Sequence, residues 1–517
     1  MRALFILIVG IHILLVYCTL TNGHDWGGDF AQYIMQAQSI TERKTLEFIE
    51  ANRFTMLQSS YPPVAPVAYP WGFPALLAPV YAVFGNSMIA FKSVGAIFFL
   101  LFLFCLFIGF RKYHSPFRVL LLIGLFALNP YFLWHLNWIM SDMPFLVFST
   151  LAVLLMGELI ITRRRFVSSA WDNVFLGAVI FAAYSMRTTG ILLLLTLGIT
   201  QFISLGQRIS RGGIASTTWR TALKSLVTWK WTSVNGRLIV FLPYASFFAL
   251  SLLWSALLPD GSFSYVNYLG GISVSSVKDN LLDYSKLPAW FFSGPDRKLL
   301  PVGLVFHVLS LPCVFTGLIK RYRTDYHIIV YVLLTLLLCI IVPFNQGLRY
   351  LFPVLPFYLS FMLTGLEGLE PDSNSGTRSL GKIANFAFVL LFILWLGILS
   401  RNSYINIVAN REVSSGPFAA TSKAMFSFIT QNTEPESTVI FFKPTVMRMM
   451  TGRKSVWINK VEELWRGDYL CLYRRTRDDQ VSADAVIHLP RGVAQLVYEN
   501  SDFKIYRLMK ENAEFRG

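Results

Sequence analysis

The sequence predicts a mainly α-helical, polytopic membrane protein with about eleven transmembrane helices and a small C-terminal α/β domain on the outer face. Of its 517 residues, 54% are hydrophobic and only 14% are charged, whereas about a quarter of the residues in ordinary soluble domains are charged. The hydrophobic residues form repeated runs of roughly 18 residues or more, long enough to cross a hydrocarbon layer about 30 Å thick. These observations exclude a soluble globular protein.

Apolar runs bounded by charged or turn residues give the positions of the predicted spans. The stretch 173–206 could form one long helix or two short ones broken at 187–190. Two helices are preferred, because a single span would place the basic segment 320–323 on the wrong face of the membrane. The predicted spans are 3–20, 86–110, 117–136, 142–162, 173–187, 189–206, 237–258, 301–320, 326–344, 349–367 and 382–400.

Basic residues gather in the connections on one side, which the positive-inside rule assigns to the cytoplasm. The net charge of +16 therefore comes from the connecting loops. The sequence has no basic patch interleaved with aromatic residues, the pattern that would indicate nucleic-acid binding. With an uncleaved first span, the chain is predicted to lie in a bacterial inner membrane with a cytoplasmic N-terminus. The predicted cytoplasmic loops are 111–118, 163–172, 207–237, 320–327 and 368–382.

The predicted catalytic domain, 1–400, includes a first outer loop over 21–85. Within this loop, "FAQYIMQAQSITERKTLEFIEANRF" has apolar residues at helical spacing and predicts one or two amphipathic helices in the membrane interface. The stretch "YPPVAPVAYPWGFP" follows, and its five prolines favour an extended path over a helix.

The predicted extracytoplasmic domain, 401–517, has lower hydropathy and short alternating patterns. Two stretches, "FAATSKAMFSFITQN" and "PTVMRMMT", have helical spacing. Four others, "STVIFF", "KSVWI", "ADAVIHL" and "FKIYRLM", are predicted as strands. Together these patterns indicate a small α/β domain.

Two acids follow the first span in "GHDWGGDFAQY", at Asp25 and Asp29. Ionisable groups near membrane depth are costly and are candidates for function, and a third acid, Asp142, begins a predicted span on the same side. A carboxylate in a partly desolvated site can act as a general base towards an acceptor hydroxyl. Asp25 and Asp29 equally suit the first turn of a helix, so helix capping remains an alternative role.

Arg187 and Arg349 lie at outer span ends and complement these acids. A guanidinium binds phosphate bidentately and keeps its charge, so both arginines are candidates for binding a lipid phosphate. For Arg349, anchoring the next span at the interface is the alternative role. His24 beside Asp25 is weak evidence for a metal; no metal ligands are assigned, no cofactor is certain, and a divalent metal remains possible.

Five stretches in a fixed order carry a resemblance to bacterial membrane glycosyltransferases of the GT-C class, relatives of the protein O-mannosyltransferases and the lipid A aminoarabinose transferase. The resemblance covers about residues 1–400. The stretches are "GDFAQYIMQAQSI", "YPWGFPALLAPVYAVFGNSMIAFK", "NPYFLWHLNWIMSDMPFLVFSTLAVLL", "GAVIFAAYSMRTTGILLLL" and "LRYLFPVLPFYL".

The resemblance implies a polytopic enzyme that uses a sugar carried on a polyprenyl phosphate and acts on the outer side of the membrane. Asp29 matches the catalytic acid of the family's first outer loop, with Asp25 and Asp142 as further catalytic candidates. The implied substrate-binding residues are Arg187, Arg349, Tyr33 and Tyr69.

Three positions depart from the family pattern. Phe30 follows Asp29 where the mannosyltransferases have an adjacent acid pair, which leaves the base as either Asp29 or Asp25. Thr188 and Trp71 each replace a proline of the family motifs.

The resulting hypothesis is transfer of a sugar to a lipid, glycan or protein acceptor, with membrane lipids as the only other partners. The alternatives are a transporter or flippase of lipid-linked sugars and an O-antigen ligase or polymerase. A transporter often has internal repeats with paired broken helices, and none is evident here. The outer segment 259–300 is sizeable and keeps the ligase reading open.

Overall fold

A computed structural model describes residues 1–60, 66–162, 169–211, 239–259, 272–343, 345–367, 378–475, 479–490 and 492–509. Within these ranges, seven helices are long and apolar enough to cross a membrane: Arg2–Thr19, Met88–Phe110, Asp142–Ile161, Thr188–Gln207, Ile239–Leu257, Arg297–Arg321 and Ile383–Val408. Shorter apolar helices are Gly72–Phe84, Pro116–Ala127, Ala170–Met186 and Tyr326–Ile341. The predicted mainly α-helical, multi-span architecture is confirmed. Much of the predicted cytoplasmic loops 163–172, 207–237 and 368–382 lies outside the described ranges.

The predicted break within 173–206 is present. Arg187 has an extended backbone, with φ −149° and ψ 132°, and a 3₁₀ turn over Thr188–Gly190 leads into the helix Ile191–Arg211. A side chain at Gly190 would meet the backbone of Tyr184, so this tight turn requires glycine.

Two predicted spans differ from the observed helices. The span predicted at 117–136 ends at Ala127, because Asn129 begins a separate short helix, Pro130–His135, by accepting hydrogen bonds from the N–H groups of Tyr131 and Phe132. The span predicted at 349–367 becomes the shorter helix Leu355–Glu367, preceded by a 3₁₀ turn over Leu348–Leu351.

The first outer loop contains two helices, Asp29–Thr41 and Thr45–Gln58. Their position in the membrane interface stays a prediction, and nine of the thirteen residues of Asp29–Thr41 are buried against other parts of the protein. This helix packs between Gly72–Phe84 and a helix of the C-terminal domain, Pro444–Thr451. The sequence pattern showed its apolar face, but its polar residues are buried as well because they bind backbone groups of the loop.

The proline-rich stretch is partly helical, which corrects the extended path predicted for it. Residues 61–65 lie outside the described ranges. A helix nevertheless begins at Gly72 with Pro74 in its first turn. At that position the missing N–H of proline has no helical partner to lose, so the proline is tolerated.

The described part of the C-terminal domain contains the strands β1 (Thr438–Ile440), β2 (Lys454–Val456), β3 (Tyr469–Tyr473), β4 (Ala494–Glu499) and β5 (Phe503–Leu508). They form one sheet in the order β2-β1-β3-β5-β4. Strand β1 pairs in parallel with β2 and β3, while β5 pairs antiparallel with β3 and β4. The segment "ADAVIHL", predicted as a strand, contains instead the short helix Ala483–Ile487, which Ser482 caps by accepting a hydrogen bond from Ala485.

Further helices complete the described part of the chain. The last long helix continues past residue 400, the predicted domain boundary, and ends at Val408. These helices are Leu242–Leu257, Val274–Lys286, Pro288–Ser293, Leu300–Arg321, Arg378–Val408 and Ala420–Asn432.

The helices Leu300–Arg321 and Leu355–Glu367 make an unusually close contact. A Cβ at Gly317 would collide with the carbonyl oxygen of Phe361, and one at Gly365 with that of Cys313. Small residues let helix backbones approach within a membrane, where packing rather than water exclusion holds helices together.

Gly317→Leu and Gly365→Leu should each lower the free energy of unfolding by about 1–3 kcal/mol, since the new side chains meet backbone that cannot move without displacing a helix. Thermal unfolding in detergent measures the effect. Gly397→Leu is the matched control, because a Cβ there has no atom within 4 Å. Equal unfolding midpoints for the three variants would contradict the close contact.

Candidate active site

One cavity of about 570 Å³ lies where the first outer loop, several span ends and the C-terminal domain meet. Its walls include apolar side chains from two spanning helices, among them Leu192 and Leu338. Six of the seven predicted site residues line it: Asp29, Tyr33, Tyr69, Asp142, Arg187 and Arg349.

Asp29 is the first residue of the helix Asp29–Thr41, and Tyr69 holds its side chain. The hydroxyl of Tyr69 donates a hydrogen bond to Oδ1 of Asp29 at 2.7 Å. Tyr69 is itself fixed by Gln36, which donates to its carbonyl and accepts from its N–H, both at 3.0 Å. The Asp29 side chain remains 36% exposed, so a ligand in the cavity can reach it.

Tyr33 packs under Asp29 and shapes the floor of the cavity. Its ring stacks on that of Tyr69 with centroids 4.7 Å apart, and its hydroxyl lies 3.1 Å from Ser141 Oγ. Burial, together with the nearby charge of Asp29, raises the pKa of Tyr33 well above its usual range. The hydroxyl therefore keeps its proton and acts only as a neutral hydrogen-bonding group.

Asp142 and Arg187 form a buried ion pair at the base of the cavity. Their side chains are only 2% and 14% exposed, and Nη1 of Arg187 donates to Oδ1 of Asp142. The guanidinium also lies 4.4 Å from the ring centroid of Tyr350. His135 Nε2 approaches the other carboxylate oxygen of Asp142 at 3.6 Å, too far for a hydrogen bond. With one nitrogen bound to Asp142, Arg187 has further N–H donors for a ligand.

Arg349 approaches Asp29 from the opposite side. Its Nη1 lies 3.6 Å from Oδ2 of Asp29, and its Nη2 donates to the side chain of Gln346. The 3₁₀ turn that carries Arg349 begins after Gly347, whose φ of 70° favours glycine. The cavity therefore holds an accessible carboxylate next to an accessible cation.

Four helices of the described ranges begin at this cavity. Asp29, Asp142 and Pro444 are each the first residue of a helix, and Thr188 and Thr189 form the turn that starts another. Free N–H groups and the macrodipole make a helix N-terminus favourable for anions. The backbone and the arginines thus both favour a negatively charged ligand.

The C-terminal domain contributes a wall that sequence reasoning missed. Lys443 and Thr445 line the cavity, and Thr445 Oγ1 donates a weak hydrogen bond to the carbonyl of Gly28 at 3.4 Å. The sequence patterns also did not identify Gln346 and Tyr350 as site residues. The sequence signal for Lys443 is weak: it precedes a proline that begins a helix, in "FFKPTV".

Asp25 does not line this cavity. Its carboxylate is 2.9 Å from His24 Nδ1 and accepts a hydrogen bond from the N–H of Gly27 at 2.9 Å. Burial alone would raise the pKa of Asp25, but the hydrogen bonds from His24 and from the N–H of Gly27 outweigh it and lower that pKa. Asp25 is therefore ionised and faces a second cavity.

The side chain of His24 is held by contacts with neighbouring protein groups. Its Nε2 accepts a hydrogen bond from the N–H of Ile139 at 3.3 Å, so Nδ1 carries the proton that faces Asp25, and its ring stacks on Phe30. Within the described ranges, no group of three or more His, Cys, Asp or Glu side chains could hold a metal ion.

Comparisons with known proteins identify the fold. No protein-family model matches the sequence, and no curated protein is significantly similar to it. The crystal structure of ArnT from Cupriavidus metallidurans bound to undecaprenyl phosphate superposes with a TM-score of 0.54 at 12% identity, over 99% of this chain and 98% of that one. The apo form gives a TM-score of 0.53 at 12% identity over 98% of both chains.

A second solved structure has the same arrangement. The archaeal oligosaccharyltransferase AglB from Archaeoglobus fulgidus, in complex with an inhibitory peptide and a dolichol-phosphate, gives a TM-score of 0.51 at 10% identity. The match covers 91% of this chain and 69% of AglB. Identities this low show a shared fold, and the GT-C type of fold that the sequence resemblance implied is confirmed.

Asp142→Asn should lower the free energy of unfolding by about 3–5 kcal/mol, because it leaves the buried Arg187 without its counter-charge. Thermal unfolding in detergent checks this. The control Glu436→Gln removes an exposed ion pair with Lys454 and should change the midpoint little. The double variant Asp142→Asn with Arg187→Gln should recover part of the loss, and a double variant less stable than either single one would contradict a pairwise origin.

Proposed function

We propose that this chain is a membrane glycosyltransferase that moves a sugar from a polyprenyl-phosphate donor to a hydroxyl group of a lipid, glycan or protein. One observation carries the proposal. The accessible carboxylate of Asp29 and the guanidinium of Arg349 face each other at 3.6 Å in a single cavity whose lining includes apolar side chains.

The cavity suits a lipid phosphate as leaving group. Arg187, Arg349 and Lys443 provide cationic donors, and the apolar side chains from Ile191 to Leu192 and at Leu338 offer a surface for a prenyl chain. The similar structures of ArnT and AglB contain undecaprenyl phosphate and dolichol-phosphate, respectively. These observations support a donor of the same chemical class here.

The reaction is a direct displacement. The acceptor hydroxyl oxygen forms a bond to the anomeric carbon, while the bond from that carbon to the phosphate oxygen breaks and its electron pair leaves with the polyprenyl phosphate. Asp29 takes the proton of the acceptor hydroxyl. The phosphate gains one negative charge, which Arg349, Arg187 and the helix N-termini stabilise, and attack from the opposite face inverts the anomeric centre.

The environments of the three acids support different roles for them. Asp29 is accessible and held by a single tyrosine hydroxyl, so it can move a proton. Asp142 is buried and paired with Arg187, which suits positioning of that cation rather than proton transfer. Asp25 faces another cavity, which favours Asp29 as the base.

The proposed setting is a bacterial inner membrane with the active site on the outer face. The basic loops predicted from the sequence support this orientation through the positive-inside rule. The C-terminal domain, which contributes Lys443 to the cavity, is then extracytoplasmic together with the first outer loop.

Asp29→Asn should abolish transfer, because an amide cannot accept the proton of the acceptor hydroxyl. Membranes containing the protein would be incubated with undecaprenyl-phosphate-linked glucose, mannose, galactose and aminoarabinose, and release of undecaprenyl phosphate would be measured by mass spectrometry. Undecaprenyl phosphate is the common product whichever sugar is transferred, so one signal serves for all four donors.

Asp484→Asn, an exposed substitution in the C-terminal domain, is the matched control and should leave release unchanged. Full activity of folded Asp29→Asn would remove Asp29 from the mechanism. Movement of a labelled donor across reconstituted vesicles without release of undecaprenyl phosphate would support the flippase alternative instead.

Arg349→Gln and Lys443→Gln should each weaken binding of undecaprenyl phosphate by roughly tenfold, the loss expected for one charge-assisted hydrogen bond of about 1.4 kcal/mol. Native mass spectrometry of the protein in lipid nanodiscs would measure the affinity. Lys454→Gln is the control, since Lys454 pairs with Glu436 on the surface of the C-terminal domain. Unchanged affinity in both cavity variants would place the phosphate elsewhere.

A further inference from the structure

A second cavity, of about 460 Å³, lies beside the segment 24–28, on the side facing the helix Pro130–His135 and the long helix Arg378–Val408. None of the residues that line the first cavity is shared with it. From its geometry we infer that this cavity binds a saccharide unit, as a second ligand distinct from the lipid-linked donor. The inference concerns binding alone and does not depend on the transfer reaction.

Two tryptophans form one wall of the second cavity. The rings of Trp134 and Trp138 lie with centroids 4.8 Å apart at 59°, and Trp134 is 37% exposed. Tyr131 packs against the ring of Trp134 at 5.4 Å and limits its movement. An aromatic face carries partial negative charge and attracts the slightly positive C–H groups on the flat side of a sugar ring. The exposed indole of Trp134, backed by the partly buried indole of Trp138, is therefore a surface on which a pyranose can stack.

Polar groups suited to sugar hydroxyls line the same cavity as the tryptophans. Asp25 and Glu412 are carboxylates, and Asn402 is an exposed amide. Within the described ranges, the hydrogen bonds to Asp25 go to Oδ1, which leaves Oδ2 available. Carboxylates accept strong hydrogen bonds from hydroxyl groups, and an amide can both donate and accept.

The charge of the second cavity distinguishes its ligand from a phosphate. Among the residues that the structure describes, its lining contains two carboxylates and no lysine or arginine. Lys92 lies behind the wall and is only 1% exposed, and its ammonium is occupied by the carbonyls of Thr21 and Gly23. The lining would repel a lipid phosphate, whereas a neutral polyhydroxyl ligand satisfies both carboxylates.

The walls of the second cavity are fixed before any ligand arrives. Asn137 accepts hydrogen bonds from the N–H of Thr21 and from Lys92, and donates to the carbonyl of Thr19. Asn406 donates to the carbonyls of Cys18 and Leu20. A site held in place by such bonds loses little entropy when it binds, which favours affinity for a small, weakly apolar ligand.

The other role of exposed tryptophans at a membrane edge is to anchor the protein at the interface. Anchoring requires neither carboxylates beside the indoles nor a cavity lined by both. The combination of a stacking wall, hydroxyl acceptors and a preformed cavity is typical of a small polar ligand site. The experiment below separates the two roles.

Binding of disaccharides would be measured by saturation-transfer NMR and calorimetry on the full chain in phospholipid nanodiscs, free of sugar-based detergent. The probes are maltose, lactose, cellobiose, chitobiose and α-1,6-mannobiose. At least one should bind, and Trp134→Ala should weaken it tenfold or more, with Glu412→Gln weakening it about fivefold. Trp465→Ala and Glu436→Gln, exposed in the C-terminal domain, are matched controls and should bind as the unmodified chain does.

Failure of all five probes to bind the folded protein would overturn the inference. So would equal affinities for the unmodified chain and Trp134→Ala, which would make the tryptophans interface anchors only. If Trp134→Ala does not fold, Glu412→Gln and Asn402→Ala decide, since both positions are exposed. Binding of undecaprenyl phosphate should persist in every variant, so that a failure here remains distinct from a failure of the proposed transferase.

Discussion

Hydrocarbon offers no hydrogen-bond partners, so a chain can leave helical geometry at membrane depth only where other groups satisfy its backbone. Asparagine side chains do this repeatedly here. Asn280 donates to the carbonyls of Ile340 and Val342, at the end of a spanning helix, and Asn406 serves the end of the first helix in the same way. Each such bond permits a helix to stop, and the stops surround the two cavities. The non-helical backbone that a binding site requires therefore lies where polar side chains form hydrogen bonds with its free carbonyl groups.

The same low dielectric governs the charges of the candidate active site. A guanidinium at the depth of Arg187 is costly unless paired, and its partner Asp142 is buried with it. Asp29 has a milder environment, because Tyr69 and Arg349 approach it but leave part of it open. Asp142 is thereby fixed in an ion pair, whereas Asp29 remains available for proton transfer. Carboxylates of the same type acquire different capacities from their burial and their partners.

Much of this fold follows from composition and order along the chain. Apolar runs located most spans, and the basic residue Arg187 marked a real helix break. Local patterns failed where tertiary contacts decide: "ADAVIHL" alternates like a strand but is capped as a helix, and strand Tyr469–Tyr473 is buried throughout, so it shows no alternation. The position of Lys443 in the cavity depends on how a distant domain docks onto the helix Asp29–Thr41, and no local pattern encodes such docking.

The segment 24–28 separates the two cavities. Asp25 faces one cavity and Asp29 the other, with only Trp26, Gly27 and Gly28 between them. Trp26 is held edge-on by aromatic rings of the C-terminal domain such as that of Phe442, so this short backbone has little freedom to absorb a displacement. A ligand that displaced this backbone on one side would alter the free energy of occupancy on the other, and by thermodynamic linkage that influence would be reciprocal.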